Sequence, residues 1–198
     1  MGKYNKTLED AVTGGILIGI GCTAFLSCDN KALGAFLFSI GLCSICIFYS
    51  KLFTGALCTS EDWRELLVIY VGNLTGITLM MVIAKLSGIV SVVDISERVA
   101  RPPIAIISRG IICEICIYIA VMGYRRYERI GIIILGVMTF ILCGSEHCIA
   151  DMFYVLLSTE KSHIGLAFIL LVTIGNIIGA ALMRFLTNYK WPDWVYEF

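Results

Sequence analysis

In the stretch FILCGSEHCIADMF, Phe140 to Phe153, a carboxylate, an imidazole and a second carboxylate (Glu146, His147 and Asp151) fall within six positions of one another. Imidazole changes charge near neutral pH and can donate, accept or pass a proton. The residues around the trio are apolar, so the segment reads as membrane-buried. An ionisable group there costs several kcal/mol and marks either a permeation path or a paired structural site. His147 is the leading candidate for the path. Its alternative is a structural histidine satisfied by Glu146 or by a helix carbonyl.

The other polar residues in apolar surroundings raise the same choice. Glu114, in IICEICIYI, is a lone carboxylate that must either find a partner or keep its proton. Lys51 can balance Glu146 or Glu114, or snorkel to the nearer interface. Asn73, Asn176 and Glu146 have the chemistry to hold main-chain groups freed where a helix is broken. Phe38 and Phe140 are candidates for hydrophobic constrictions of a pore, with core or lipid packing as the alternative. Cys43 with Cys46, and Cys113 with Cys116, have C-x-x-C spacing. No His or acidic residues stand at metal-site spacing beside them, so these thiols are expected to pack, and no metal or cofactor is called for.

The elements that must position these residues are membrane spans. Of 198 residues, 59% are hydrophobic and 15% charged, with a mean hydropathy of +0.89, where soluble domains carry about 25% charged residues. Apolar runs at about 10–27, 31–58, 63–86, 102–124, 129–158 and 164–187 predict six transmembrane helices in an all-α membrane protein. Net charge is zero, which leaves no electrostatic case for nucleic acid. The N-terminal MGKYNKTLEDAVTGG has no cleavage site ahead of its apolar run, so the first span is expected to be retained. The residues left over cannot form a soluble catalytic domain, so the protein is not expected to be an enzyme.

Two segments repeat: VGNLTGITLM, Val71 to Met80, and IGNIIGAALM, Ile174 to Met183. With three predicted spans between them the copies run antiparallel, which predicts a single domain, 1–198, of two inverted three-helix halves at about 10–86 and 102–187. The second and fifth spans are expected to break near Ser50–Gly55 and Cys143–Cys148, where Gly and Ser sit next to charge. Lys and Arg bias sets both termini in the cytoplasm: Lys3, Lys6, Arg64, Arg125, Arg126, Arg129, Arg184 and Lys190 inside, against Lys31, Arg98, Arg101 and Lys161 outside.

On these residues the chain resembles the formate/nitrite transporter family, which also includes hydrosulfide and lactate channels. The motifs are FSIG (Phe38–Gly41), LFTG (Leu52–Gly55), VGNLTG, RGIICE (Arg109–Glu114), SEHCIADMF and TIGNIIGA (Thr173–Ala180), in order along nearly the whole chain. The resemblance implies a homopentamer in the plasma (inner) membrane, each protomer an aquaporin-like fold with its own pore and broken second and fifth helices. It implies that His147 is the central pore residue, Thr54 faces it, and Phe38 and Phe140 are the constriction aromatics. Glu146, Asn73 and Asn176 would hold the broken segments, and Arg98 falls near the basic residue of the outer vestibule.

The chain also departs from the family pattern. Glu114 stands where the family usually has Asn, A-D-M replaces A-N-M and so gives Asp151, and the segment after LFTG is short. A Glu114 carboxylate beside a charged His147 sums to zero, and Asp151 with Glu146 would make the pore centre negative, which favours cations. Two functions follow: a channel for a small monovalent weak-acid anion (formate, nitrite or hydrosulfide), or the same fold turned to ammonium or another small cation by Glu114 and Asp151. A non-conducting membrane scaffold is a third class, opposed by the joint presence of His147, Thr54 and Glu146.

Overall fold

The computed structural model describes residues 3–160 and 162–187, all helix and connecting segments with no strand among them. The helices are α1 (Lys3–Leu26), α2 (Lys31–Ile47), α3 (Phe53–Leu57), α4 (Trp63–Leu86), α5 (Ser96–Val99), α6 (Pro103–Tyr127), α7 (Ile130–Leu142), α8 (Cys148–Leu157) and α9 (Ser162–Thr187). Lys161, Lys190 and the side chain of Lys3, which entered the orientation argument, lie outside the described residues.

Helices α1, α4, α6 and α9 are long and apolar enough to cross a membrane. At 1.5 Å per residue, the 24 residues of α4 reach about 36 Å, more than the roughly 30 Å of hydrocarbon. The two remaining apolar runs are each divided. The chain leaves the helical path at 48–52, between α2 and α3, and at 143–147, between α7 and α8. Alone, the 13 residues of α7 reach only about 20 Å.

Each division has a local cause. Gly144 (φ 68°) takes the left-handed conformation that ends α7. Tyr49 (φ 52°) adopts the same conformation after α2 without being glycine. Further along, Asp62 caps α4, its carboxylate accepting from the amides of Arg64 and Glu65.

Packing repeats itself along the chain. Helix α1 packs on α4, and α6 on α9. Both crossings are close because glycine lies in them. A Cβ on Gly76 would meet the Val12 carbonyl oxygen at 2.0 Å, and one on Gly175 the Ile107 carbonyl oxygen at 2.3 Å. Helix α2 packs on α7, and α8 lies against α1, α4 and α9, so the core sits where the divided helices meet. Large apolar side chains such as Leu33, Ile40, Leu79, Ile119, Leu170 and Ile177 face outward, a larger exposed apolar surface than soluble proteins carry.

Candidate permeation site

Dividing a helix frees amides at one end and carbonyls at the other, and in a dry interior these must find partners. Asn73 and Asn176, both fully buried, provide them in the same way. The Asn73 side-chain oxygen accepts from the Phe53 amide at 2.8 Å, and its nitrogen donates to the carbonyls of Ala11 (2.7 Å) and Lys51 (2.8 Å). The Asn176 oxygen accepts from the Cys148 amide at 3.0 Å, and its nitrogen donates to Gly110 (2.8 Å) and Glu146 (3.2 Å). An amide offers an acceptor oxygen and a two-proton donor nitrogen together without charge.

These bonds set the first turns of α3 and α8 face to face. His147 is the N-cap of α8, its Nδ1 accepting from the Ala150 amide at 3.2 Å. Because Nδ1 accepts, the ring proton is on Nε2, which lies 3.1 Å from Thr54 Oγ1 in the first turn of α3. The imidazole stacks on Phe140 with centroids 5.9 Å apart, and Phe140 meets Phe38 edge-on at 6.0 Å. All four side chains are buried. The sequence-predicted residues Thr54, His147, Phe38 and Phe140 therefore converge: one polar pair with an aromatic pair closed over it. A cavity of about 310 Å³ reaches the flank of α3 at Leu52, Gly55 and Ala56, and Lys51, Glu65 and Arg125 are among the residues lining it.

The charged residues differ from the sequence-based expectation. Arg98, expected at an outer vestibule, has its guanidinium engaged by both Glu146 and Asp151 and lies over the rings of Tyr154 (5.1 Å) and Phe168 (5.5 Å). Arg101 adds a second bond to Glu146 at 2.6 Å. The Glu146 carboxylate therefore binds arginines rather than loop amides. It is the Glu146 main chain that is tied down, its carbonyl by Asn176 and its amide by the Arg109 carbonyl at 3.3 Å. The Arg109 side chain also donates to the Gly144 carbonyl. Lys51 pairs with neither Glu146 nor Glu114 but with Glu65, at 2.6 Å.

Glu146 and Asp151 are thus matched by Arg98 and Arg101, and the negative pore centre expected from those two carboxylates does not arise. Glu114 is the exception. It is fully buried, one carboxyl oxygen lies 3.6 Å from the Cys58 thiol, and the other has no hydrogen-bond partner. The side chain packs on Gly179, where a Cβ would come within 2.7 Å of Glu114 Cβ.

The sequence model for formate/nitrite transporters matches residues 3–190. The chain belongs to the formate/nitrite transporter family. The formate channel FocA of Haemophilus influenzae is 24% identical over 68% of this chain but 56% of its own length, so the chain spans little more than half of that relative. The formate channel FocB of Escherichia coli is 25% identical over 87% of this chain and 82% of its own. Among solved structures, a pentameric formate channel with formate bound superposes with a TM-score of 0.79 at 21% identity, covering 93% of this chain and 96% of that one. An FNT family ion channel gives 0.83 at 20% identity, with coverage of 94% and 90%.

The relatives it matches in this family are channels rather than enzymes. Several contacts that shape this site escaped sequence reasoning. Arg101 and Arg98 act 45 and 48 positions from Glu146, a separation no local pattern reports. Cys58 was not singled out. Arg109 was in view within the RGIICE motif, but nothing in its spacing pointed to Gly144.

Proposed function

We propose that this transporter is a channel for a small monovalent weak-acid anion such as formate, nitrite or hydrosulfide, and that the permeant passes between Thr54 and His147. The observation that carries the reading is the buried Thr54–His147 pair held between two divided helices under the Phe38–Phe140 contact. The Nε2–H of His147 is a neutral donor suited to an anion, and the aromatic pair excludes water until a permeant enters. The pairing of Glu146 and Asp151 with Arg98 and Arg101 supports an anion over a cation. The formate channels among the relatives favour formate as the first permeant to try.

The divided helices, α2 with α3 and α7 with α8, complete six crossings arranged as two inverted halves in one domain, 1–198. The like bonding of Asn73 and Asn176 within the two sequence copies supports this arrangement. Five such protomers would assemble, as in the pentameric relative, and native mass spectrometry of the purified protein tests that number. The excess of Lys and Arg favours cytoplasmic termini in the inner membrane. Asn73 and Asn176 act as scaffolds of the breaks, and Arg98 with Glu146 and Asp151 as a brace beside the path.

Flux through the purified protein in liposomes, comparing formate, nitrite and hydrosulfide with ammonium under identical gradients, tests the reading. Anion flux that falls in Thr54→Val is the expected result. Ammonium flux without anion flux would overturn it and favour the small-cation alternative, for which the unpaired Glu114 is the remaining support.

A further inference from the structure

Glu114 is the buried charge-bearing group that the fold does not explain. The two asparagine networks show which positions correspond: Ala11 on α1 and Gly110 on α6 accept equivalent bonds, so the position four residues on is Gly15 in one half and Glu114 in the other. Likewise Phe53 and Cys148 are equivalent first residues of α3 and α8, so Cys58 corresponds to Phe153. Where one half has glycine and phenylalanine, the other has a carboxyl and a thiol. The counterpart positions carry no polar side chain, so the Glu114–Cys58 pair has no equivalent in the other half.

Its placement is suggestive. The Cys58 thiol lies 3.4 Å from the Thr54 carbonyl and 3.6 Å from Glu114. Glu114 therefore touches the residue one helical turn beyond Thr54, which faces His147. The titratable neighbours around it are Cys58 on α3, Cys148 on α8 and Cys113 on its own helix, with Asp151 beyond them held by Arg98. On α9 it meets Gly179. Among the described residues no lysine or arginine forms an ion pair with it.

His147, by contrast, has its Nδ1 committed to the Ala150 amide. Taking up a second proton there would forfeit the cap of α8. His147 can donate a hydrogen bond without exchanging a proton, and with Glu146 and Asp151 held by arginines the acid beside this region without an ion pair is Glu114.

We propose that Glu114 is the proton-exchanging residue of the permeation path, and that the permeant crosses the aromatic constriction as the undissociated acid. The anion meets Thr54 and His147, and the Glu114 carboxyl O–H breaks as its proton bonds to the anion. The neutral acid moves on. The carboxylate left behind regains a proton from hydronium on the side from which the anion came, releasing water. Net movement is one proton with each anion, and no charge crosses. This inference rests on the anion-channel reading and adds to it the identity of the group that carries the proton.

The test uses the full chain in liposomes containing a pH indicator, with a formate gradient and the membrane potential clamped at several values. Wild type should acidify the lumen as formate enters, at a rate independent of potential. Glu114→Gln, equal in size and still able to hydrogen-bond, should lose proton-linked uptake by about tenfold or more, because a bare anion must then cross apolar surroundings at a cost of several kcal/mol. Uptake with unchanged proton linkage in Glu114→Gln overturns the inference and leaves the channel reading intact. Absence of any anion flux in wild type overturns the channel reading itself. Should Glu114→Gln fail to assemble, wild type treated with a hydrophobic carbodiimide carries the test. Modification of Glu114 should track loss of flux and be slowed by formate, and full flux after complete modification refutes the proposal.

Discussion

Replacing Asn176 with alanine removes three hydrogen bonds at once: one from the Cys148 amide and two to the carbonyls of Gly110 and Glu146. Side-chain hydrogen bonds inside membrane proteins average about 0.6 kcal/mol and reach about 1.7. Three of them give about 2 to 5 kcal/mol of destabilisation. The upper end applies when the freed amide and carbonyls stay buried without partners. Asn73→Ala should cost a similar amount, since it also removes one accepted and two donated bonds. Asn176→Asp keeps the acceptor oxygen but sets a buried carboxylate against the carbonyls of Gly110 and Glu146, and should cost at least as much as alanine. Denaturation of the purified protein in detergent, followed by near-UV circular dichroism, measures all three. A loss below about 0.5 kcal/mol in both alanine variants would show that the amides are not what hold the breaks. A large loss in only one would show that the two networks are not equivalent.

Arg98→Gln leaves Asp151 without its cation and should destabilise the protein by about 3–5 kcal/mol; Arg98→Gln with Asp151→Asn should recover most of that in the same denaturation assay. Gly76→Ala drives a methyl to 2.0 Å from the Val12 carbonyl oxygen and should reduce the yield of folded protein, whereas Gly131→Ala, with open space around it, should keep wild-type thermal stability or raise it slightly. Phe140→Ala removes the ring that stacks on His147 and touches Phe38. It should raise formate flux and admit larger monocarboxylates such as lactate, measured as the ratio of the two fluxes.

The amino-acid pattern revealed most of what depends on local chemistry. Apolar runs located the helices, and Gly and Ser beside charge located both breaks to within a few residues: 48–52 and 143–147 against the expected Ser50–Gly55 and Cys143–Cys148. The repeated Gly-Asn pairs pointed to Asn73 and Asn176, and the E-H pair to His147. What stayed hidden were choices of partner. Lys51 had several carboxylates in reach on paper and took Glu65, on the first turn of the next long helix. Counting charges along the chain put Asp151 and Glu146 in a negative pore, because the offsetting Arg98 and Arg101 arrive through the segment leading from α4 to α6 and nothing in the spacing foretells their approach. Glu114 was conspicuous from the start, but its thiol partner and its glycine counterpart emerged only from the folded arrangement.

The two half-helices are built alike but moored differently. Near α3 the ion-paired carboxylates are more open, Glu65 with Lys51 being 18% exposed and Glu61 with Arg184 84%. Beside α8 the carboxylates of Glu146 and Asp151 are sunk to 3% and 2% exposure. Dissolved ions weaken the first kind of mooring and hardly reach the second. The mechanical compliance of the path is therefore lopsided: the α3 side can slacken with ionic strength while the α8 side, which carries His147, stays fixed as the reference edge against which the opening is measured.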